Sequence, residues 1–277
     1  MRLRSSFLFL LVSLFCSSFS IWGFFGHRLI TSMAINTLPT GMIAFYKEHA
    51  EVIIERSVVP DQRRYVIPEE GPRHYIDLDD YDHRDSIPRY WMAAVEKYGE
   101  EFLEGHGLGP WYTYFTYRKL IIAFKEQDKA RIIRLSSDLS HYIADANVPL
   151  HTTSNYNGQL TGQEGIHGFW ETRLPQLFSD DYDFLVGRAE YLINPQLTIW
   201  QGVYAANDLV DSVFLVETYT TQLVGEDQKY GFENRGKSIQ EVYSVRYAQQ
   251  YHDILPHVEK QMQRSVKMIG DFWLTAW

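Results

Sequence analysis

Apolar residues recur at spacings of three and four through residues 29–38, 42–59, 90–103, 111–124, 129–146 and 238–277, and less regularly through 200–223. That is the period of a helix with one buried stripe, and strand-like alternation is nearly absent. Breaks fall at turn formers: Pro39, residues 107–110 and residues 225–236. Residues 60–89 hold Pro60, Pro68, Pro72 and Pro88 among many charges, and residues 152–166 are rich in Gly, Asn and Thr. Both stretches read as long loops. No internal repeat or low-complexity run interrupts the pattern. A chain of 277 residues can bury one sizeable core. The expectation is all-α: a single-domain helical bundle with long loops, covering residues 22–277. The aromatic run Trp111, Tyr112, Tyr114, Phe115 and Tyr117 reads as helix core with one amphipathic edge.

The first 21 residues stand apart. Arg2 and Arg4 precede an apolar stretch, residues 7–15, too short to span a bilayer, and Ser17, Ser18 and Ser20 are small residues suited to cleavage. Residues 1–21 therefore read as a signal peptide, against a buried N-terminal helix, and predict a secreted or periplasmic protein. No later segment is long and apolar enough for a transmembrane span. The one cysteine, Cys16, lies inside this leader. The mature chain then has no thiol, which excludes disulfides, zinc fingers and iron–sulfur clusters together. Any metal must be held by His, Asp, Glu or backbone atoms. A net charge of −9 argues against a basic face for duplex DNA.

The ten histidines sort by their neighbourhoods. His141 and Asp145 are one helical turn apart and leave the same face. His151 follows just past Pro149, where the helix should end. His167 and Glu171 repeat the four-residue spacing on a second helix. Two such pairs facing each other in a bundle make an imidazole- and carboxylate-lined site of the kind that holds metals. Without thiolate, that donor set suits zinc in an open, catalytic site. A lone His-x3-Asp is more often a surface hydrogen bond; accumulation changes the reading, because His74, His27 and Asp61 add further donors. His49, His83, His106, His252 and His257 lack such a partner and read as structural or solvent-facing. The acidic stretch Asp77, Asp79, Asp80 and Asp82 reads as a solvated loop in preference to a calcium site. No GxSxG or GxxxxGK[ST] motif is present.

The run His141-x3-Asp145-x3-Pro149-Leu150-His151 resembles the superfamily that joins zinc-dependent phospholipase C with the single-strand-specific nucleases of the S-one/P-one type. The full order Trp22, His27, Asp61, His74, His141-x3-Asp145, His151, His167-x3-Glu171 follows its pattern. The resemblance implies a trinuclear zinc site. Asp61, His74, His141 and Asp145 would hold one ion, and His151, His167 and Glu171 a second. His27, Asp145 and the amine and carbonyl of Trp22 would hold the third. Asp145 would bridge two ions with a water between them, and two nearby cations lower the pKa of a shared water. A free Trp22 amine requires cleavage after Ile21, whereas cleavage after Ser20 suits a signal peptidase better. Either trimming follows, or the third ion is held differently.

Two substrates share these metals: single-stranded nucleic acid and phospholipid. The short spacing from Trp22 to His27 and an arginine at Asp61-x2-Arg64 resemble the nucleases, where that arginine meets the scissile phosphate. Tyr75 would then stack on a base and Asp77 accept from its edge, although phospholipases carry similar residues there. Glu171 in place of Asp and the short gap from His151 to His167 resemble the phospholipases. The balance leans to a nuclease with Asp61, Arg64 and Asp145 at the reaction centre. A phospholipase C is the alternative, and a non-catalytic zinc-binding protein is the reading from another class. Oligomeric state is left open.

Overall fold

A computed structural model describes residues 23–235 and 238–277; the leader reading of residues 1–21 and the ligand reading of Trp22 lie outside these residues. The chain is helical almost throughout. α1 (Gly23–Ile35), α2 (Thr40–Glu48), α3 (Ala50–Arg56) and α4 (Val59–Arg63) lead into an irregular segment with a 3-10 stretch at Pro68–His74. α5 (Trp91–Tyr98), α6 (Glu100–His106), α7 (Gly109–Lys125) and α8 (Lys129–Asp145) follow. After the loop come α9 (Ile166–Gly168), a π turn at Phe169–Arg173 and α10 (Leu174–Phe178), which run as one helical rod. α11 (Pro195–Asn207) and α12 (Val210–Val224) precede a hairpin, β1 (Tyr230–Arg235) and β2 (Ser238–Tyr243), and the chain closes with α13 (Val245–Ile254) and α14 (His257–Ala276).

α8 is the central rod, and its sequence says why it forms. Asp128 caps its start by accepting from the Arg131 amide at 3.0 Å. Ile132, Leu135, Leu139 and Ile143 keep the helical spacing and are buried. At the far end the Asn147 side chain donates to the Ile143 carbonyl at 2.8 Å, satisfying an end-of-helix acceptor, and Pro149 prevents continuation. α14 packs on α1 and α8, and Ile30, Ala34, Leu139, Ile143, Val266 and Ile269 share a solvent-free core. Trp273 donates to the Ser136 carbonyl at 3.2 Å, so even the indole nitrogen is satisfied there. Trp111 and Tyr117 are core residues, as expected of the aromatic run, with Trp111 edge-on to Trp200 at 5.1 Å.

Four expected helices differ in detail. The 42–59 run is divided at His49 (φ −111°, ψ 14°), whose ring meets Phe45 edge-on at 4.9 Å while Ile53 turns into the core. Gly99, at φ +80°, divides the 90–103 run, a conformation that favours glycine. The 200–223 run is split by the turn between α11 and α12. The 238–277 run begins as a strand, with Tyr243 paired to Tyr230 and stacked on Phe169 at 4.2 Å. Among the described residues no helix is long and apolar enough to cross a membrane.

Candidate metal centre

Six segments converge on one buried site. α1 brings His27, α4 brings Asp61, and the 3-10 stretch brings His74. α8 brings His141 and Asp145, and the turn at Pro149–His151 brings His151. The α9–α10 rod brings His167 and Glu171, with Glu171 on its π turn, a local irregularity frequent at functional sites. All eight side chains are buried. They form three groups, within each of which the donor atoms lie within 4.8 Å of one another: His27, Asp61 and His141; His74, His141 and Asp145; His151, His167 and Glu171, with His141 common to the first two. Asp145 is the hinge between them. Its Oδ2 lies 2.9 Å from His74 Nδ1 and 3.2 Å from His141 Nε2, while its Oδ1 lies 3.4 Å from His27 Nε2 and 3.7 Å from His151 Nδ1. His27 falls closer to Asp61 and His141 than the sequence suggests, with its ring stacked on His141 at 3.9 Å.

Tautomers are set by backbone acceptors. His141 Nδ1 donates to the Ser57 carbonyl at 2.8 Å, His151 Nδ1 to the His74 carbonyl at 2.8 Å, and His167 Nδ1 to the Tyr156 carbonyl at 3.0 Å. A carbonyl can only accept, so each Nδ1 carries a proton, which leaves Nε2 as the nitrogen a metal would take. Those Nε2 atoms face the cluster: His151 and His167 present theirs 3.2 Å apart, and His167 Nε2 sits 3.0 Å from Glu171. Orientation of a ligating imidazole by a hydrogen bond on its other nitrogen is the usual support of a metal site.

The metal-free electrostatics point the same way. Burial holds the His27 imidazole well below its usual value, and burial takes His74 down to about 4. At His141 burial works downward too, but Asp145 and Asp61 outweigh it and raise the ring to about 9. Burial also raises Asp61, whereas His141 and His151 overcome burial at Asp145 and hold that carboxyl low. Both ring nitrogens of His27 and both oxygens of Asp61 have no hydrogen-bond partner among the described residues. Buried polar groups without partners are costly, and divalent cations are the natural complement to this set. Imidazole and carboxylate without thiolate fit zinc, whose bonds of about 2.0–2.2 Å to such donors suit clusters this tight.

A cavity of about 420 Å³ opens onto the cluster, lined by His74, His151 and His167 together with Arg64, Tyr65, Tyr75, Asp77 and Tyr156. Arg64, Tyr75 and Asp77 are thus brought to the site, and Arg64 is near enough to lower the Asp61 and His74 values. Sequence reasoning missed Tyr65 and Tyr156; Tyr65 follows Arg64 directly, but nothing local marks Tyr156. His106 also differs from expectation. It is not partnerless: its Nδ1 pairs with Asp80 at 2.9 Å, in a group that includes Asp77. Asp79 is likewise engaged, accepting from the Ser154 amide at 2.9 Å and the Thr153 hydroxyl at 2.7 Å, so the acidic stretch fastens the 152–166 loop.

The structure of Clostridium perfringens alpha-toxin from an avian strain shares this fold, with a TM-score of 0.50 and 10% identity over 92% of this chain. The chain spans 63% of the length of that toxin chain. No curated protein matches the sequence. The zinc dependent phospholipase C family matches residues 26–221, a stretch that contains all eight clustered side chains. Of the two substrate readings, this match favours the phospholipase over the nuclease. The chain belongs to the zinc dependent phospholipase C family.

Proposed function

We propose that this chain is a metal-dependent phosphodiesterase that cleaves phospholipid headgroups as a phospholipase C. The observation that carries the choice of substrate is the rim of the cavity. Tyr65 lines the cavity and is 67% exposed, and Val66 and Ile67 beside it are 78% and 40% exposed. On the loop that supplies Tyr156, Leu160 is 71% exposed. Such an apolar margin suits a lipid surface better than a polyanion in water. Among the lining residues Arg64 is the one permanent cation, and Asp77 would repel a second phosphate.

Asp61, His74, His141 and Asp145 would hold one zinc, His151, His167 and Glu171 a second, and His27 with Asp145 and Trp22 a third. Asp61, grouped with His27, is a further donor for that third ion. Bound zinc supplies Lewis acidity, acidifying water and offsetting charge on phosphate oxygens. Arg64 would hydrogen-bond the non-bridging phosphate oxygens and neutralise the charge that grows there in the transition state. Tyr65, Tyr75 and Tyr156 offer ring faces to a headgroup ammonium, and Asp77 offers a counter-charge. Water attacks phosphorus, the bond to the glycerol oxygen breaks, and that oxygen takes up the proton the water gives up, so that diacylglycerol leaves and the headgroup keeps the phosphate. The open cavity beside His74, His151 and His167 speaks against a storage role, which needs no substrate space. The export leader at residues 1–21 is proposed on Arg2, Arg4 and the apolar stretch after them.

The test is to offer the zinc-loaded protein phosphatidylcholine vesicles, single-stranded DNA and RNA side by side. Diacylglycerol and phosphocholine release from vesicles is expected. Nucleotide release with no diacylglycerol would overturn the lipid reading in favour of the nuclease. Arg64→Ala should reduce turnover by about a hundredfold or more while zinc content stays the same.

A further inference from the structure

We propose that Arg63 and Glu70 form a positioning clamp that sets the Asp61–His74–His141–Asp145 group in place, with Glu70 orienting the His74 ring. The inference rests on the metal centre and does not depend on which phosphodiester is cleaved.

Those four side chains come from three separate elements: α4, the 3-10 stretch Pro68–His74 and α8. Nothing in the backbone of any one element fixes its distance to the others. Arg63 does. It follows Asp61 by two residues on α4, and its guanidinium donates to Glu70 Oε1 at 3.1 Å, Asp138 Oδ1 at 3.1 Å and the Tyr142 hydroxyl at 3.0 Å. Glu70 lies on the 3-10 stretch four residues before His74, and Asp138 lies on α8 three residues before His141. One side chain therefore ties all three ligand-bearing elements together.

Glu70 is fully buried and fully engaged. Its Oε1 accepts from Arg63 and from the Tyr142 hydroxyl, and its Oε2 accepts from Arg73 at 2.6 Å. Arg73 is itself laid over the Tyr112 ring at 4.3 Å, which extends the clamp to α7. His74 is mounted differently from its neighbours. His141, His151 and His167 each spend Nδ1 on a backbone carbonyl, whereas His74 turns Nδ1 into the cluster, 2.9 Å from Asp145 and 3.0 Å from His141. Its Nε2 has no hydrogen-bond partner among the described residues and faces Glu70 Oε1 at 3.9 Å. With Nδ1 acting as the donor atom, the ring proton belongs on Nε2, pointing at a carboxylate that two arginines and a tyrosine hold still. A carboxylate behind a ligating imidazole fixes its orientation and strengthens it as a donor. Buried ion pairs contribute little net stability compared with apolar packing, so a positioning role accounts for this network better than a structural one.

The test compares three variants of the full chain: Glu70→Gln, Tyr142→Phe and Lys229→Met. The last breaks a different buried pair, Lys229 with Glu217 at 2.7 Å, and serves as a control for general destabilisation. Zinc per chain is measured by atomic emission, affinity by competition with a chromophoric chelator, and folding by circular dichroism, all without substrate. Glu70→Gln is expected to weaken one of three ions by about ten- to a hundredfold. Tyr142→Phe, which leaves no charge unpaired, should weaken the same ion by less, and Lys229→Met should lower thermal stability with zinc affinity intact. Unchanged affinity in a folded Glu70→Gln overturns the clamp. If that variant does not fold, unchanged affinity in Tyr142→Phe does so. An equal loss of affinity in Lys229→Met also overturns it, since the effect would then be general.

Discussion

Asp77 stands in the cavity wall, where burial and the neighbouring Asp79 and Asp80 push its carboxyl up to about 7. A carboxyl raised by folding stabilises the protein fully at acid pH, and that contribution is lost as pH rises through the folded value. Asp77→Asn should therefore raise the melting temperature more at about pH 8 than at about pH 5, as followed by calorimetry. An equal shift at both would refute the assignment. On the proposed lipid reading, the same ionisation would prepare Asp77 for a cationic headgroup. KM for a choline ester should fall as pH rises through about 7, a trend that Asp77→Asn abolishes. At this scale the sequence was partly legible. His141 with Asp145 and His167 with Glu171 are visible because a helical turn joins them. The stacking of His27 on His141 and the tie from Arg63 to Asp138 join distant segments and leave no local mark.

Between elements, the joint of α6 and α7 braces the wall that holds His74 and Tyr75. The Gly109 amide donates to the Tyr75 carbonyl at 2.9 Å, and the Asp77 amide donates to the His106 carbonyl at 2.8 Å. Gly107 makes this approach possible. It sits at φ +96°, and a Cβ there would lie 2.3 Å from the Tyr75 carbonyl oxygen. Gly107→Ala should cost about 1–3 kcal/mol from backbone conformation alone and displace the Tyr75 wall. Denaturant unfolding measures the first effect and KM the second; a neutral result in both contradicts this account of the joint. α7 and α8 were legible because their stripes are regular and Asp128 caps the second. The division at His49 was not, because no Gly or Pro stands there and the apolar spacing runs on through it. The hairpin was missed for a related reason. Phe232 and Ile239 are exposed while Tyr243 is buried, so its faces do not alternate cleanly and residues 238–243 read as the start of the last helix.

For the whole molecule, the core and the cluster pull in opposite directions. α1, α8 and α14 meet in an apolar centre, yet α1 and α8 also carry His27, His141 and Asp145 into a solvent-free site. Without cations that site buries partnerless polar atoms, so metal uptake and stability are coupled. Removing zinc with a chelator should lower the melting temperature, and adding it back should restore it by mass action. A melting temperature indifferent to chelator would mean that the cluster does not depend on metal. The most direct measurement is anomalous diffraction at the zinc edge from crystals of the purified protein. Three peaks are predicted, each within about 2.0–2.2 Å of nitrogen or oxygen donors, with Asp145 shared between two of them. Peaks elsewhere, or none among His27, Asp61, His74, His141, His151, His167 and Glu171, would contradict the account at its centre.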